Sequence, residues 1–179
     1  FYDARGHTDF VTTPREVGAF VDLPHTAAGA AQSYRQWAGR LIESICTFSR
    51  AAAPRSTKKK YRSDGLLIGP FATEGVFDLL ILNTDGTLAE RSGNGLTIFS
   101  QFLVDTRTVA PSRSFAVRIH HANARSGPVE AQIEPAERDG QRGFWVDMGT
   151  PRFGVEAVEA SPHEVGVSVF GGRSVSRVF

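Results

Sequence analysis

Residues 83–95 read N-T-D-G-T-L-A-E-R-S-G-N-G and hold the densest chemistry in the chain. An apolar run over residues 77–82 leads into this polar, glycine-punctuated turn, and Ser92-Gly93-Asn94-Gly95 then opens an amphipathic stretch over 96–104. That layout places backbone N–H groups at a helix start, where unpaired donors and the positive end of the dipole attract an anion. A substrate carboxylate fits such a place, with Gly93, Asn94 and Gly95 as its donors. Ser92 stands at the lip of the turn, where a nucleophile or proton-transfer group would be set. The simpler role for a serine there is that of an N-cap, its hydroxyl accepting from a helix N–H.

Other reactive side chains read as less informative. Cys46 is the only cysteine; it falls on the apolar stripe of a helix and reads as a small hydrophobe. One cysteine also excludes an intramolecular disulfide and any cysteine-based metal cluster. His120 and His121 are neighbours on a strand and point to opposite faces, which argues against joint metal binding. Asp85 and Glu90 read as structural: they orient the turn through hydrogen bonds or serve as acidic residues near a helix start. Asp64-Gly65 reads as a turn near the pocket, and Lys58-Lys59-Lys60 as a solvated connector.

The elements that position the turn follow from periodicity. Residues 1–11 and 16–23 are expected as short extended segments separated by the Thr12-Thr13-Pro14 turn signal. Over residues 27–53, Tyr34, Trp37, Ala38, Leu41, Ile42, Ile45 and Cys46 recur at helical steps, and Pro54 is expected to end the helix. Residues 66–70 and 76–82 read as buried strands, the second apolar enough to be covered on both faces. A helix is predicted over 93–104, and strands with period-two alternation over 115–120, 129–134 and 143–148. Strand runs with a few helices between them predict an α+β architecture.

Composition sets outer limits. The 179 residues are 41% hydrophobic and 22% charged, an ordinary globular composition able to bury a core. Twenty basic against nineteen acidic residues leave a formal charge of +1, so no net field recruits nucleic acid or an anionic membrane. Without a bilayer-length apolar segment or a signal pattern, a cytoplasmic protein is expected.

The 83–95 turn resembles the signature of the diaminopimelate epimerase family, N-x-D-G-S-x-A-E-x-C-G-N-G. Asn83, Asp85, Gly86, Ala89, Glu90, Gly93, Asn94 and Gly95 match it, Thr87 exchanges one hydroxyl for another, and Ser92 stands where the family has cysteine. Three further segments agree in the same order. The opening F-Y-D-A-R-G-H-T-D-F-V is similar to F-x-K-x-H-G-x-G-N-D-F-V, S-D-G-L-L at 63–67 to A-D-G-L-L, and V-D-M-G-T-P-R-F at 146–153 to V-D-M-G-x-P-x-F.

The resemblance implies a cofactor-independent amino-acid epimerase that needs neither metal nor pyridoxal. It implies a curved, mostly antiparallel sheet wrapped around a central helix, built as two pseudo-symmetric halves, here with a first half at 1–122 and the start of a second at 123–179. It further implies that Asn83 and Asn94 bind substrate through their side chains, and that Thr8, beside His7, lines the site. In the family, the cysteine at the Ser92 position is one of two acid/base groups flanking the substrate α-carbon.

A thiol near pKa ~8.5 can be drawn toward working pH by a helix start, whereas a serine needs a neighbouring base. Ser92 therefore predicts lost epimerisation, a one-base reaction such as dehydration or double-bond isomerisation, or a serine activated by another residue. No second glycine-rich cysteine turn follows Phe153. The chain is accordingly expected to be part of a longer polypeptide or one half of a two-chain enzyme, and the alternative function is a catalytically silent subunit or binding module. Expected partners are an amino-acid substrate and either a second copy of the chain or a complementary second-half chain.

Overall fold

The computed structural model describes residues 2–4, 6–48, 60–71, 75–122, 127–150, 165–170 and 173–178. It divides into two compact units, Phe1–Met148 and Gly149–Phe179. The second contributes one antiparallel pair, Val165–Phe170 with Arg173–Val178, in register from Phe170↔Arg173 to Val165↔Val178.

The first unit is built on one mixed sheet. Strands β1 (Tyr2–Ala4) and β2 (His7–Thr12) form an antiparallel pair, with Gly6 at φ 92° in the connection between them. The opening residues thus fold back on themselves instead of running on as one extended segment. The chain then forms α1 (Pro14–Val17), α2 (Ala27–Gln32), α3 (Tyr34–Ile45), β3 (Gly65–Ile68), β4 (Val76–Asn83), β5 (Leu88–Ala89) and α4 (Gly93–Asp105). Strands β6 (Phe115–Ile119), β7 (Val129–Arg138) and β8 (Gln141–Val146) follow. The spatial order is β1-β2-β3-β4-β6-β7-β8, with β5 paired to β4. The β2–β3 and β4–β6 pairs are parallel and the others antiparallel, so the sheet is mostly antiparallel, as expected.

Two expectations need correction. Residues 16–23 are not extended: Thr13 caps α1, its hydroxyl accepting from the Glu16 N–H while the Glu16 carboxylate accepts from the Thr13 N–H, with Pro14 at the first helical position. Thr-Pro-x-Glu is a capping box, and its reciprocal bonds outweigh the turn propensity of Thr-Thr-Pro. The helix expected over 27–53 is two helices, broken at Ser33 and ending at Ile45. Ser33 returns its hydroxyl to the Gly29 carbonyl, an alternative to continuing the ladder. The Pro54 stop signal lies outside the described residues.

The sheet carries a core on each face. On one side Leu66, Ile68, Leu80 and Leu82 meet Trp37, Leu41 and Ile42 of α3 and Val17 of α1. On the other, Leu67, Leu79, Ile81, Val117, Ile119 and Ile133 meet Leu96, Phe99 and Leu103 of α4. Coverage on both faces is why β3 and β4 lack alternation. Helix α4 lies against β1 and β2 near one edge and against β8 at the other. One helix can reach both ends of the strand order only if the sheet curls around it. The molecule is thus an α+β fold with a central helix, and burying Leu96, Phe99 and Leu103 contributes roughly 1.5–3 kcal/mol per side chain. Among the described residues, no helix is long and apolar enough to cross a membrane.

Candidate functional site

The site is assembled by β4, its hairpin to β5 and the first turn of α4. The Asn83 N–H donates to the Thr87 carbonyl and the Gly86 N–H to the Asn83 carbonyl, closing a turn that needs Gly86 in the left-handed region at φ 84°. Asp85 fixes this turn by accepting from the Thr87 N–H (2.9 Å) and hydroxyl (2.6 Å). Those bonds, the side-chain one first, hold the Asp85 carboxyl below its usual range. The Asn83 Nδ2 donates to the Thr87 Oγ1, which leaves its Oδ1 as the end that can meet a ligand.

Ser92 is the N-cap of α4 in an extended conformation, and its Oγ accepts from the Gly95 N–H at 3.0 Å. The Gly95 amide is therefore not a free donor. Among the described residues, the Gly93 and Asn94 amides have no acceptor; Gly93 is half-buried and Asn94 exposed. Two close approaches fix the direction of the helix: a Cβ on Gly95 would lie 3.3 Å from Leu67 Cδ2, and one on Gly69 would lie 3.0 Å from the Phe99 ring. Passing from Gly95 to Phe99 along α4 thus corresponds to passing from Leu67 to Gly69, so the α4 start points toward the beginning of β3.

There the sheet register places Asp9, Gly65 and Asn83 side by side on β2, β3 and β4. Alternation puts all three on the face of Val11, Leu67 and Ile81, which is the α4 face. Asp9 is 3% exposed, and its carboxylate lies over Gly65, where an added Cβ would be 2.9 Å from Oδ1. Burial raises the Asp9 pKa, the His7 imidazole lowers it, and the Asp64 charge adds to the rise. His7 Nε2 lies 3.2 Å from Asp9 Oδ2, and His7 Nδ1 lies 3.8 Å from Asp64 Oδ2.

Thr8 falls between these residues and, by alternation, faces the other side. Its N–H donates to Asp64 Oδ2 at 2.8 Å and its carbonyl accepts from the Asp64 N–H at 2.7 Å. Asp64 thus ties the starts of β2 and β3 together, while His7 and Asp9 are the residues of that strand turned toward α4. His7 is named in the sequence only as the neighbour of Thr8, and Asp9 not at all; the period-two alternation of H-T-D-F-V against the buried strand at 66–68 is the signal that turns both toward α4.

Met148 comes from the V-D-M-G segment, and its Sδ would lie 3.7 Å from a Cβ on Gly93. Two of the segments noted in the sequence therefore meet at the first residue of α4. Glu90 faces His121, with Oε1 3.7 Å from Nδ1, while His120 Nε2 lies 2.8 Å from Asp78 Oδ1. The two histidines engage different carboxylates, and among the described residues no cluster of metal-binding side chains occurs. Cys46 is fully buried, which pushes its thiol pKa up. Its neighbour Ser63 is buried with no partner for its hydroxyl apart from that thiol.

Two open clefts lie elsewhere. One of about 630 Å³ runs between Gln101 and Asp105 of α4 and Pro135 and Phe144 of the β7–β8 pair; the other, about 570 Å³, lies along Arg138, Arg142 and Trp145. Neither touches residues 92–95.

A mostly antiparallel sheet curled around a helix that begins at Ser-Gly-Asn-Gly makes this an α+β protein whose architecture is that expected from the resemblance. A stretch of 92 residues, 51% of the chain, is 41% identical to Diaminopimelate epimerase 2 of Nostoc sp. (strain PCC 7120 / SAG 25.82 / UTEX 2576). The match spans 29% of the length of that relative. No family model matches the chain.

Proposed function

We propose that this chain carries the carboxylate-binding half of a cofactor-independent isomerase that moves the α-proton of an amino acid, with diaminopimelate as the first substrate to test. The observation that carries the reading is the pair of open amides, Gly93 and Asn94, at the start of a 13-residue helix, within a motif that matches the epimerase pattern at all but two of its defined positions. Deprotonating an α-carbon without an electron sink requires oriented donors that stabilise the developing charge without reorganising. The Gly93 and Asn94 N–H groups supply them for the carboxylate, with the helix dipole behind, and Asn83 Oδ1, whose amide nitrogen is engaged by Thr87, accepts from the substrate ammonium in this reading.

Ser92 takes a different part from a thiolate. Its oxygen accepts from the Gly95 N–H, which draws electron density away from it, while its proton stays free to be donated. It therefore serves as a donor toward the substrate and not as the group that removes hydrogen from carbon. This favours the second reading, a one-sided or silent subunit that binds the amino acid and relies on a complementary half for the base.

The test is α-deuterium incorporation into diaminopimelate in heavy water by the whole purified protein, with Ser92→Cys alongside. Exchange that appears or rises at least about tenfold in Ser92→Cys supports the epimerase-type site. Binding without exchange in both proteins supports the silent subunit. Neither binding nor exchange overturns the proposal.

A further inference from the structure

Glu90 and His121 are far apart in sequence and come together for a topological reason. Strands β5 and β6 lie on the same side of β4: β6 pairs with residues 76–79 and β5 with residues 81–82. Strand β6 runs parallel to β4 and β5 antiparallel, so their last residues meet head-on beside the middle of β4. The His120 N–H donates to the Leu79 carbonyl and carries the β6 ladder one step further. His121 then arrives where Ala89 leaves its pairing with Ile81. At that point the chain must swing off the sheet through Glu90 and Arg91 to begin α4 at Ser92.

The His121 side chain is 1% exposed and its Nδ1 faces Glu90 Oε1 at 3.7 Å, whereas the Glu90 side chain is 58% exposed. A buried imidazole thus reaches out to a carboxylate anchored only two residues before the N-cap. Glu90 lies outside the first turn of α4, which holds no acidic residue, so supporting the helix dipole from within that turn is not its role. A rigid imidazole in a filled site makes a fixed post, and a solvent-facing carboxylate held against it gains more in orientation than in energy.

We propose that His121 is the positioning residue of the α4 start: through Glu90 it fixes the exit from β5, and so sets the direction in which the Ser92 hydroxyl and the Gly93 and Asn94 amides point. The inference rests on the reading of that start as the carboxylate site and adds a remote support to it.

Amide hydrogen exchange on the full-length ¹⁵N-labelled chain tests it, residue by residue. Glu90→Ala and His121→Leu should each lower protection at Gly95 and Leu96 roughly tenfold while Phe99 and Leu103 stay unchanged. The double variant should go no further than either single one, and Glu90→Gln, which keeps the same length and a polar oxygen facing Nδ1, should restore most of the loss. Diaminopimelate titrated into the same samples should shift the Gly93 and Asn94 resonances, with weaker affinity in Glu90→Ala.

Unchanged protection at Gly95 in Glu90→Ala, or an equal fall along the whole of α4, overturns the positioning role. If His121→Leu fails to fold, the Glu90→Ala and Glu90→Gln pair decides alone. A wild-type chain whose Gly93 and Asn94 resonances ignore diaminopimelate defeats the functional reading, while the exchange data still decide whether His121 fixes the turn.

Discussion

Helices α2 and α4 begin with the same local device and come to different ends. Thr26 caps α2 by accepting from the Gly29 N–H at 3.1 Å, and Ser92 caps α4 by accepting from the Gly95 N–H at 3.0 Å, each with glycine at the third helical position. The fourth position is fully buried in both, as Ala30 and Leu96. The difference lies in the first helical residue, since the second is exposed in both, as Ala28 and Asn94. The first residue of α2 is Ala27, 2% exposed, so that start is plugged into the core. The first residue of α4 is Gly93, half-buried, followed by exposed Asn94, so its amides stay within reach. A hydroxyl cap and a glycine are common to both starts; only that of α4 has a half-buried first residue and is aimed at Asp9, Gly65 and Asn83.

The comparison can be pressed hardest at the fourth position. Leu96→Ala gives α4 the residue that α2 carries and removes a fully buried side chain facing Leu67, so a loss of about 2–5 kcal/mol in urea unfolding is expected. A loss under ~1 kcal/mol would show that α4 is not the central helix of the core. The caps come next: Ser92→Ala and Thr26→Ala should each cost about 1 kcal/mol, because the same bond is lost twice. Only Ser92→Ala should also change diaminopimelate binding by calorimetry, and equal binding losses in the two variants would erase the distinction between the helix starts.

Gly93→Ala should separate stability from function. The new Cβ meets Met148 Sδ at an ordinary 3.7 Å, so stability should stay within about 1 kcal/mol of wild type. The methyl group covers the first amide as Ala27 does in α2, so carboxylate binding should weaken several-fold.

The smallest effect concerns Asp9, which faces the α4 start. Burial raises its folded pKa, so the ionised form is less favourable in the folded state than in the unfolded one. Its contribution to stability is greatest below the unfolded value near 3.9 and falls as pH rises toward the folded pKa. Asp85 and Glu16, whose pKa values are lowered by hydrogen bonds to Thr87 and Thr13, act in the opposite sense: their stabilisation is present above the unfolded values and lost as pH falls. Unfolding of Asp9→Asn compared with wild type from pH 4 upward isolates the first effect, and an Asp9→Asn curve parallel to wild type would refute it.

Legibility tracked the range of the interaction responsible. The helix at 93–104, the buried strands expected at 66–70 and 76–82, the first observed at Gly65–Ile68, and the apolar burial of Cys46 were readable because each follows from side chains a few positions apart. The Thr13–Glu16 capping box is equally local, but Thr-Thr-Pro carries a turn signal in the same residues. The break at Ser33 was not readable, since the apolar stripe continues past it and a hydroxyl returned to Gly29 interrupts the ladder. At the site, Ser92, Gly93 and Asn94 stood out in sequence and His7 only beside Thr8, whereas Asp9 and the Glu90 partner of His121 did not, because what gives them meaning is a neighbour far along the chain.

The sequence by itself determined a Gly-rich turn between a buried strand and an amphipathic helix, and with it the resemblance to an epimerase over half the chain, because both are written in contiguous residues. Only the tertiary structure decided which amides stay open, that Gly95 is claimed by Ser92, and that Asp9 and Asn83 flank the helix start across Gly65. Those outcomes depend on strand register and on the curl of the sheet, which bring together residues more than seventy positions apart and leave no periodic trace in the chain.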